Sequence, residues 1–205
     1  MIRLESIVKD CELVQRDELA GFTTYCARRH EVRRGEFDVM HIVFRPMINE
    51  TIVDIRFTNA SSTSGRPAGD RTVPLPRGYG DFLCETNGAY FFGGNVALFG
   101  LIDNYDVPLT HPVKYRSPEI STPNVLARSP RLREEDVHLG TYFGSHRMLI
   151  FDPIASRVIL TEAFSRKLYR SWASFDEYLR DELTTYDCYF DSRRQMTRNR
   201  RTSPF

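Results

Sequence analysis

Hydrophobic and polar positions follow two rhythms along this chain, and the changes of rhythm mark its elements. Leu4, Ile7, Val8 and Cys11 recur at i, i+3, i+4 and i+7, a stripe that predicts a helix with one buried face over residues 3–15. The runs FDVMHIVF (37–44) and TIVDIRFT (51–58) read as strands, the second with Val53, Ile55 and Phe57 on one side, joined through RPMINE as a hairpin. Two strands alone are marginal in water, so this hairpin is expected to extend a larger sheet. TNASSTSGRPAGDR (58–71) has no period and is rich in Ser, Thr and Gly, which predicts a loop separating this α-β-β unit from the rest.

The stretch LPRGYGDFLCETNGAYFFGGNVALFGL (75–101) admits a phosphate-cradling loop, a run of hairpins, or a helix handing over to a sheet. Tyr79, Phe82 and Leu83 share one helical face, Pro76 suits a first turn, and Asn87-Gly88 supplies the left-handed residue that ends a helix. AYFF and VALFGLI then read as strands around Gly93-Gly94. A dinucleotide fingerprint needs a third glycine where Leu83 stands and a strand where VPLPR stands, so the helix is preferred.

Residues 103–138 hold Pro108, Pro112, Pro118, Pro123 and Pro130 without a sustained period, which predicts a long irregular surface connection. HRMLIFDP and RVILTEAF, joined by IAS, are apolar enough to be interior strands of one hairpin. In WASFDEYLRDEL, Ser174 and Glu177 form an S-x-x-E capping box, and Phe175, Leu179 and Leu183 line the docking face of the helix it opens. Trp172, just before the cap, is expected to close the core edge, with an exposed recognition role as the alternative. From residue 187 the chain carries Arg193, Arg194, Arg198, Arg200 and Arg201 against Asp187 and Asp191, which reads as a flexible tail.

Composition narrows the function classes. With 205 residues, 41% of them hydrophobic, the chain can bury a real core, and its formal charge of +1 gives no global field for nucleic acid or anionic membrane. Arginine supplies 25 of the 28 basic residues, a ratio that coding bias alone can produce. Cys11, Cys26, Cys84 and Cys188 are too far apart for a zinc ribbon or a redox dithiol. Acidic residues interrupt the first ten positions, so no export signal is read and a cytoplasmic location is expected. The apolar stretch AYFFGGNVALFGLI is too short and glycine-rich to cross a bilayer.

Catalytic chemistry has little support. The five histidines His30, His41, His111, His138 and His146 form no HxxxH or HExxH pair, although His138 and His146 flank LGTYFGS and two strand-edge histidines could converge there. No GxSxG elbow is present. Carboxylates cluster at Glu134-Glu135-Asp136 and at Asp176-Glu177 with Asp181-Glu182, and such runs read first as solvated faces. No catalytic residue, metal site or cofactor is assigned. Over residues 74–186 there are 12 basic and 14 acidic residues, a mildly acidic body that complements a basic partner.

Four pieces in order, LPRGYGDFLCETNG, VALFGL, HLGTYFGSHRMLIFDPIASRVI and SWASFDEYL, resemble the SUKH superfamily over residues 74–183. That superfamily includes a fungal cell-wall-synthesis regulator and many bacterial immunity proteins. Here a helix, a hairpin and a loop precede the LP segment, which in the family usually follows a short helix directly. The resemblance implies an α+β fold, a twisted, mostly antiparallel sheet flanked by helices, to which the N-terminal helix and hairpin are an addition. Pro76, Asn87, Gly88, Gly100, Asp152, Trp172, Ser174 and Phe175 are then structural motif residues.

The expected organisation is an N-terminal unit (1–60), a flexible loop (61–73), a SUKH-like core (74–186) and an Arg-rich tail (187–205). The resemblance implies a protein without catalysis that neutralises a cognate toxin domain, of nuclease or deaminase type, by occluding it. Asp103, Tyr105 and Asp106, and Glu134, Glu135 and Asp136, are the first candidates for contact. The alternatives are a nucleic-acid module using the tail, which salt would weaken steeply, and a regulatory scaffold.

Overall fold

The computed structural model describes residues 48–57, 70–91, 95–101, 119–163 and 167–187, and the backbone alone of 12–13, 23–28 and 40–44. Among the described residues are eleven strands: β1 (Glu12–Leu13), β2 (Thr23–Arg28), β3 (Met40–Phe44), β4 (Asp54–Phe57), β5 (Arg71–Pro74), β6 (Ala89–Phe91), β7 (Val96–Leu98), β8 (Val137–Tyr142), β9 (Arg147–Asp152), β10 (Arg157–Glu162) and β11 (Leu168–Trp172). Two α-helices join them, α1 (Tyr79–Glu85) and α2 (Phe175–Asp187). The fold is α+β. Nine strands form one antiparallel sheet in the order β1-β2-β3-β6-β7-β8-β9-β10-β11, and β4 with β5 forms a separate two-stranded sheet.

The packed body is the six-strand run from β6 to β11. Its strands β9 and β10 carry apolar runs at 148–151 and 158–160 because both faces are covered. On β9, Leu149 and Phe151 enter the main core with Val158, Leu160, Phe175 and Tyr178, while Met148 and Ile150 face a smaller cluster with Leu132 and Ile159. The main core is aromatic where α1 meets α2: the Phe175 ring stands edge-on to Tyr79 at 4.7 Å and to Phe82 at 5.3 Å. The buried Tyr79 hydroxyl donates to the Phe99 carbonyl at 2.6 Å, so its polar end is satisfied while its ring packs.

Several local expectations change. Strands β3 and β4 are present but are not a hairpin: β3 pairs with β2 and β6, and β4 pairs with β5, register Ile55 opposite Val73. Arg71–Pro74 is therefore a strand, so the end of the polar segment 61–73 is not loop. Of the helix expected over 3–15, only Glu12–Leu13 is described, and it is extended and paired with β2. Within 103–138, residues 122–126 form a short π-helix, and β8 begins at Val137. Residues 102–118 and 188–205 lie outside the described residues, with the arginine tail among them.

Helix α1 starts later and ends earlier than its punctuation predicts. Pro76 lies ahead of it, its carbonyl accepting the Tyr79 N–H, and Thr86 in extended conformation closes it. Gly88 has φ 85°. A Cβ there would stand 2.7 Å from the Gly100 nitrogen, and the Asn87 side-chain oxygen accepts the Leu101 N–H at 2.8 Å. Asn87, Gly88 and Gly100 thus form a close backbone crossing between helix and sheet. At α2 the capping box operates: the Glu177 N–H donates to Ser174 Oγ at 3.1 Å, and the Ala173 N–H donates to the Glu177 carboxylate at 2.7 Å.

Candidate functional site: an acidic rim on an arginine-clamped turn

The segment from Ser129 to Asp136 turns over twice before β8, through Leu132 N–H to Ser129 O and Asp136 N–H to Arg133 O. Turns expose carbonyls that regular structure does not satisfy, and here guanidiniums take them. Arg128 Nη2 donates to the carbonyls of Arg133, Glu134 and Asp136, the last at 3.1 Å. Arg71 on β5 reaches the same turn from the other sheet, donating to the carbonyls of Glu134 and Asp136. Burial lowers the Arg71 guanidinium's pKa. At Arg128, burial and then the neighbouring Arg71 charge bring it down to about 10, against the pull of Asp136 and Glu134.

Arg133 completes the clamp. Its guanidinium meets the Asp136 carboxylate at 2.7 Å and the Asp152 carboxylate at 2.5 Å, and its backbone N–H donates to Asp136 at 2.8 Å. The hydrogen bonds it donates to Asp136 and then to Asp152 raise its pKa, so it stays charged. Desolvation pushes the Asp152 carboxyl up, but the Ala155 N–H with the Arg133 and Arg157 guanidiniums outweigh it and hold the group below the usual carboxylate range. Asp152 also accepts the Ala155 N–H at 3.1 Å, which ties the β9–β10 turn to the clamp.

These contacts divide the acidic run. Asp136, a candidate contact from sequence, is fully buried with its carboxylate taken up inside the clamp. Glu134 and Glu135 stand exposed on the outside of the same turn. They line an open cavity of about 450 Å³ together with Arg71, Thr72, Val73, Pro74, Pro153 and Ile154. Ile154 is 69% exposed, a large apolar side chain left in water beside two carboxylates.

The remaining candidates separate in the same way. Asp103, Tyr105 and Asp106 lie outside the described residues. The α2 carboxylates are not a solvated face: Glu177 caps the helix, Asp181 accepts the Trp172 indole N–H at 2.7 Å and pairs with Arg170 at 2.8 Å, and Glu182 is buried. Burial raises the Glu182 pKa, opposed by Arg170 and by its hydrogen bond from Tyr142. Trp172 is buried, edge-on to Tyr178 at 5.1 Å.

His138 and His146 do not converge. His138 aligns with Ile150 inside the sheet, and His146 is exposed at the β8–β9 turn, four residues away along β9 or about 13 Å. His138 Nε2 donates to the Gly140 carbonyl at 2.9 Å, its ring stands edge-on to Phe99, and its backbone N–H donates to Asn124. Burial brings its pKa down to about 4, partly offset by the Gly140 bond and reinforced by Arg128. A histidine so held is neutral at pH 7 and embedded in the fold. Among the described residues no group of three or more His, Cys, Asp or Glu converges on a common point as a metal would require. No helix among them is long and apolar enough to cross a membrane.

The clamp escaped sequence reasoning because Arg71 lies 63 residues from Glu134. One local signal was available: Arg133 three positions before Asp136, with an apolar strand starting at Val137, marks a self-paired turn. Compared with family models, curated proteins and solved structures, the chain matches none.

Proposed function

We propose that this chain is a non-catalytic recognition protein that neutralises a cognate bacterial toxin domain, of nuclease or deaminase type, by covering it with the rim formed by Glu134, Glu135 and Ile154. The observation that supports the reading is the clamp. Three arginines order one turn through its carbonyls and its buried aspartate, while the two carboxylates at its crest stay exposed, attracted to the nearby Arg71 and Arg128 charges. Order already present in the free protein lowers the entropy lost on association. Nuclease and deaminase sites that hold nucleic acid are basic, so a fixed pair of carboxylates is suited to them as a competitor for phosphate. The apolar Ile154 beside the pair supplies the anchor that charge alone lacks. The resemblance of residues 74–183 to a superfamily containing immunity proteins points the same way.

The test is co-expression with a candidate toxin domain, sought first in the neighbouring reading frame. Cells should survive with the wild-type chain and die with the doubly reversed chain Glu134→Lys, Glu135→Lys at equal soluble abundance. Survival with the reversed chain would place the contact elsewhere. Specific, salt-sensitive RNA retention without protection, lost when residues 192–205 are deleted, would favour the nucleic-acid alternative.

A further inference from the structure

The cavity beneath the acidic rim has a shape that bears on its occupant. Arg71, Thr72, Val73 and Pro74 all line it, and they are consecutive residues of β5. Successive side chains of a strand point to opposite faces, so a cavity touching four in a row runs along the strand's edge. That edge is the outer one: β4 pairs with β5 on the other side, and among the described residues no strand pairs with β5 here. The opposite wall is Glu134, Glu135, Pro153 and Ile154. The result is a groove about 10 Å long at the rise of an extended chain, bounded by a strand edge and a charged turn.

We infer that this groove takes an extended segment of a partner protein as an added strand beside β5, with a lysine or arginine of that segment set against Glu134 and Glu135. An edge strand offers N–H and C=O groups as a template for another chain, and alternate side chains of the added strand then select the partner. Pro74 has no N–H, so the pairing is short and side-chain recognition dominates. The charge on the walls decides its sign. Arg71 turns its terminal nitrogens into the carbonyls of Glu134 and Asp136, whereas both carboxylates remain at the exposed rim. Two carboxylates against the one guanidinium of Arg71, whose terminal nitrogens are taken by carbonyls, leave the groove acidic. An acidic segment is repelled, while a basic one finds carboxylates for its head and Pro153 and Ile154 for its aliphatic stem. This rests on the recognition role proposed above, and specifies what that surface grips.

The test uses the full ¹⁵N-labelled chain titrated with the acetylated peptide amide Val-Thr-Arg-Val-Thr and its counterpart bearing Glu in place of Arg. Saturable shifts of the Thr72, Val73, Glu135 and Ile154 amides are expected with the Arg peptide. Affinity should fall by about tenfold with the Glu peptide, and similarly in a Glu134→Gln, Glu135→Gln chain, as for loss of a charge-assisted contact. Absence of saturable shifts at Thr72 and Val73, or equal affinity for both peptides, would overturn the inference. So would the same shifts arising without peptide from a concentration-dependent dimer. If peptide binding fails while charge reversal still abolishes protection from the toxin, the strand-addition mode falls and the recognition role stands. If the Arg peptide binds as expected while the charge-reversed chain still protects, the groove takes a strand and the toxin-neutralising role of the rim falls.

Discussion

Acid should destabilise this protein through His138, and the size of the effect follows from its surroundings. The ring is buried against Phe99 with Nε2–H bonded to the Gly140 carbonyl, and its pKa is brought down to about 4 from an ordinary 6.5. A histidine depressed on folding binds its proton more readily in the unfolded chain. Its contribution is therefore fully present above pH 6.5 and is lost as pH falls toward 4. Each unit is worth about 1.4 kcal/mol, so the drop reaches about 3 kcal/mol at pH 4 and about 2.5 kcal/mol at pH 4.5. Other groups titrate in the same range, so the comparison is with His138→Gln, which keeps an N–H donor for Gly140 but has no charge to acquire. Urea unfolding followed by Trp172 fluorescence from pH 7.5 to 4.5 should show the two stability curves converging as pH falls, by about 2 to 3 kcal/mol. Parallel curves would refute the claim that a neutral imidazole is locked into the sheet.

Other outcomes follow from the same contacts. Asp136→Ala should cost about 1 to 3 kcal/mol in chemical denaturation, because it leaves the Arg133 backbone N–H unpaired and takes away one of the two carboxylates on its guanidinium, while Glu134→Gln should stay within about 0.5 kcal/mol. Gly80→Ala places a Cβ 2.0 Å from the Ile52 carbonyl oxygen, so thermal unfolding should show a loss of about 1 to 3 kcal/mol as the segment before β4 is displaced. Ser174→Ala should lower stability by about 1 kcal/mol through loss of the α2 cap, with Ser174→Asp restoring most of it.

Residues whose role is set by near neighbours were legible in the chain. The β9–β10 hairpin, the α2 capping box and the apolar face of α1 are written in spacings of two to four residues, and the structure places them where those spacings point. The partners of β3 and β4 were not, because both runs are equally apolar and nothing local says which edge each will find. Strand β5 was hidden in a polar segment since Val73 is its one fully buried side chain. In the Glu134-Glu135-Asp136 run, three similar residues take two different fates. The difference comes from Arg133, three positions back, whose guanidinium and backbone N–H take the Asp136 carboxylate, on a turn whose carbonyls Arg71 and Arg128 hold from 65 and 8 positions away.

If the clamped turn and the β5 groove form the face presented to a partner, binding must shield them. The most direct measurement is amide hydrogen exchange of the chain alone and in complex with the toxin domain it is found to neutralise. Slowed exchange concentrated at residues 71–73, 134–135 and 154–155 is the predicted result. Protection confined to other surfaces, or a complex whose exchange at those positions is unchanged, would contradict it.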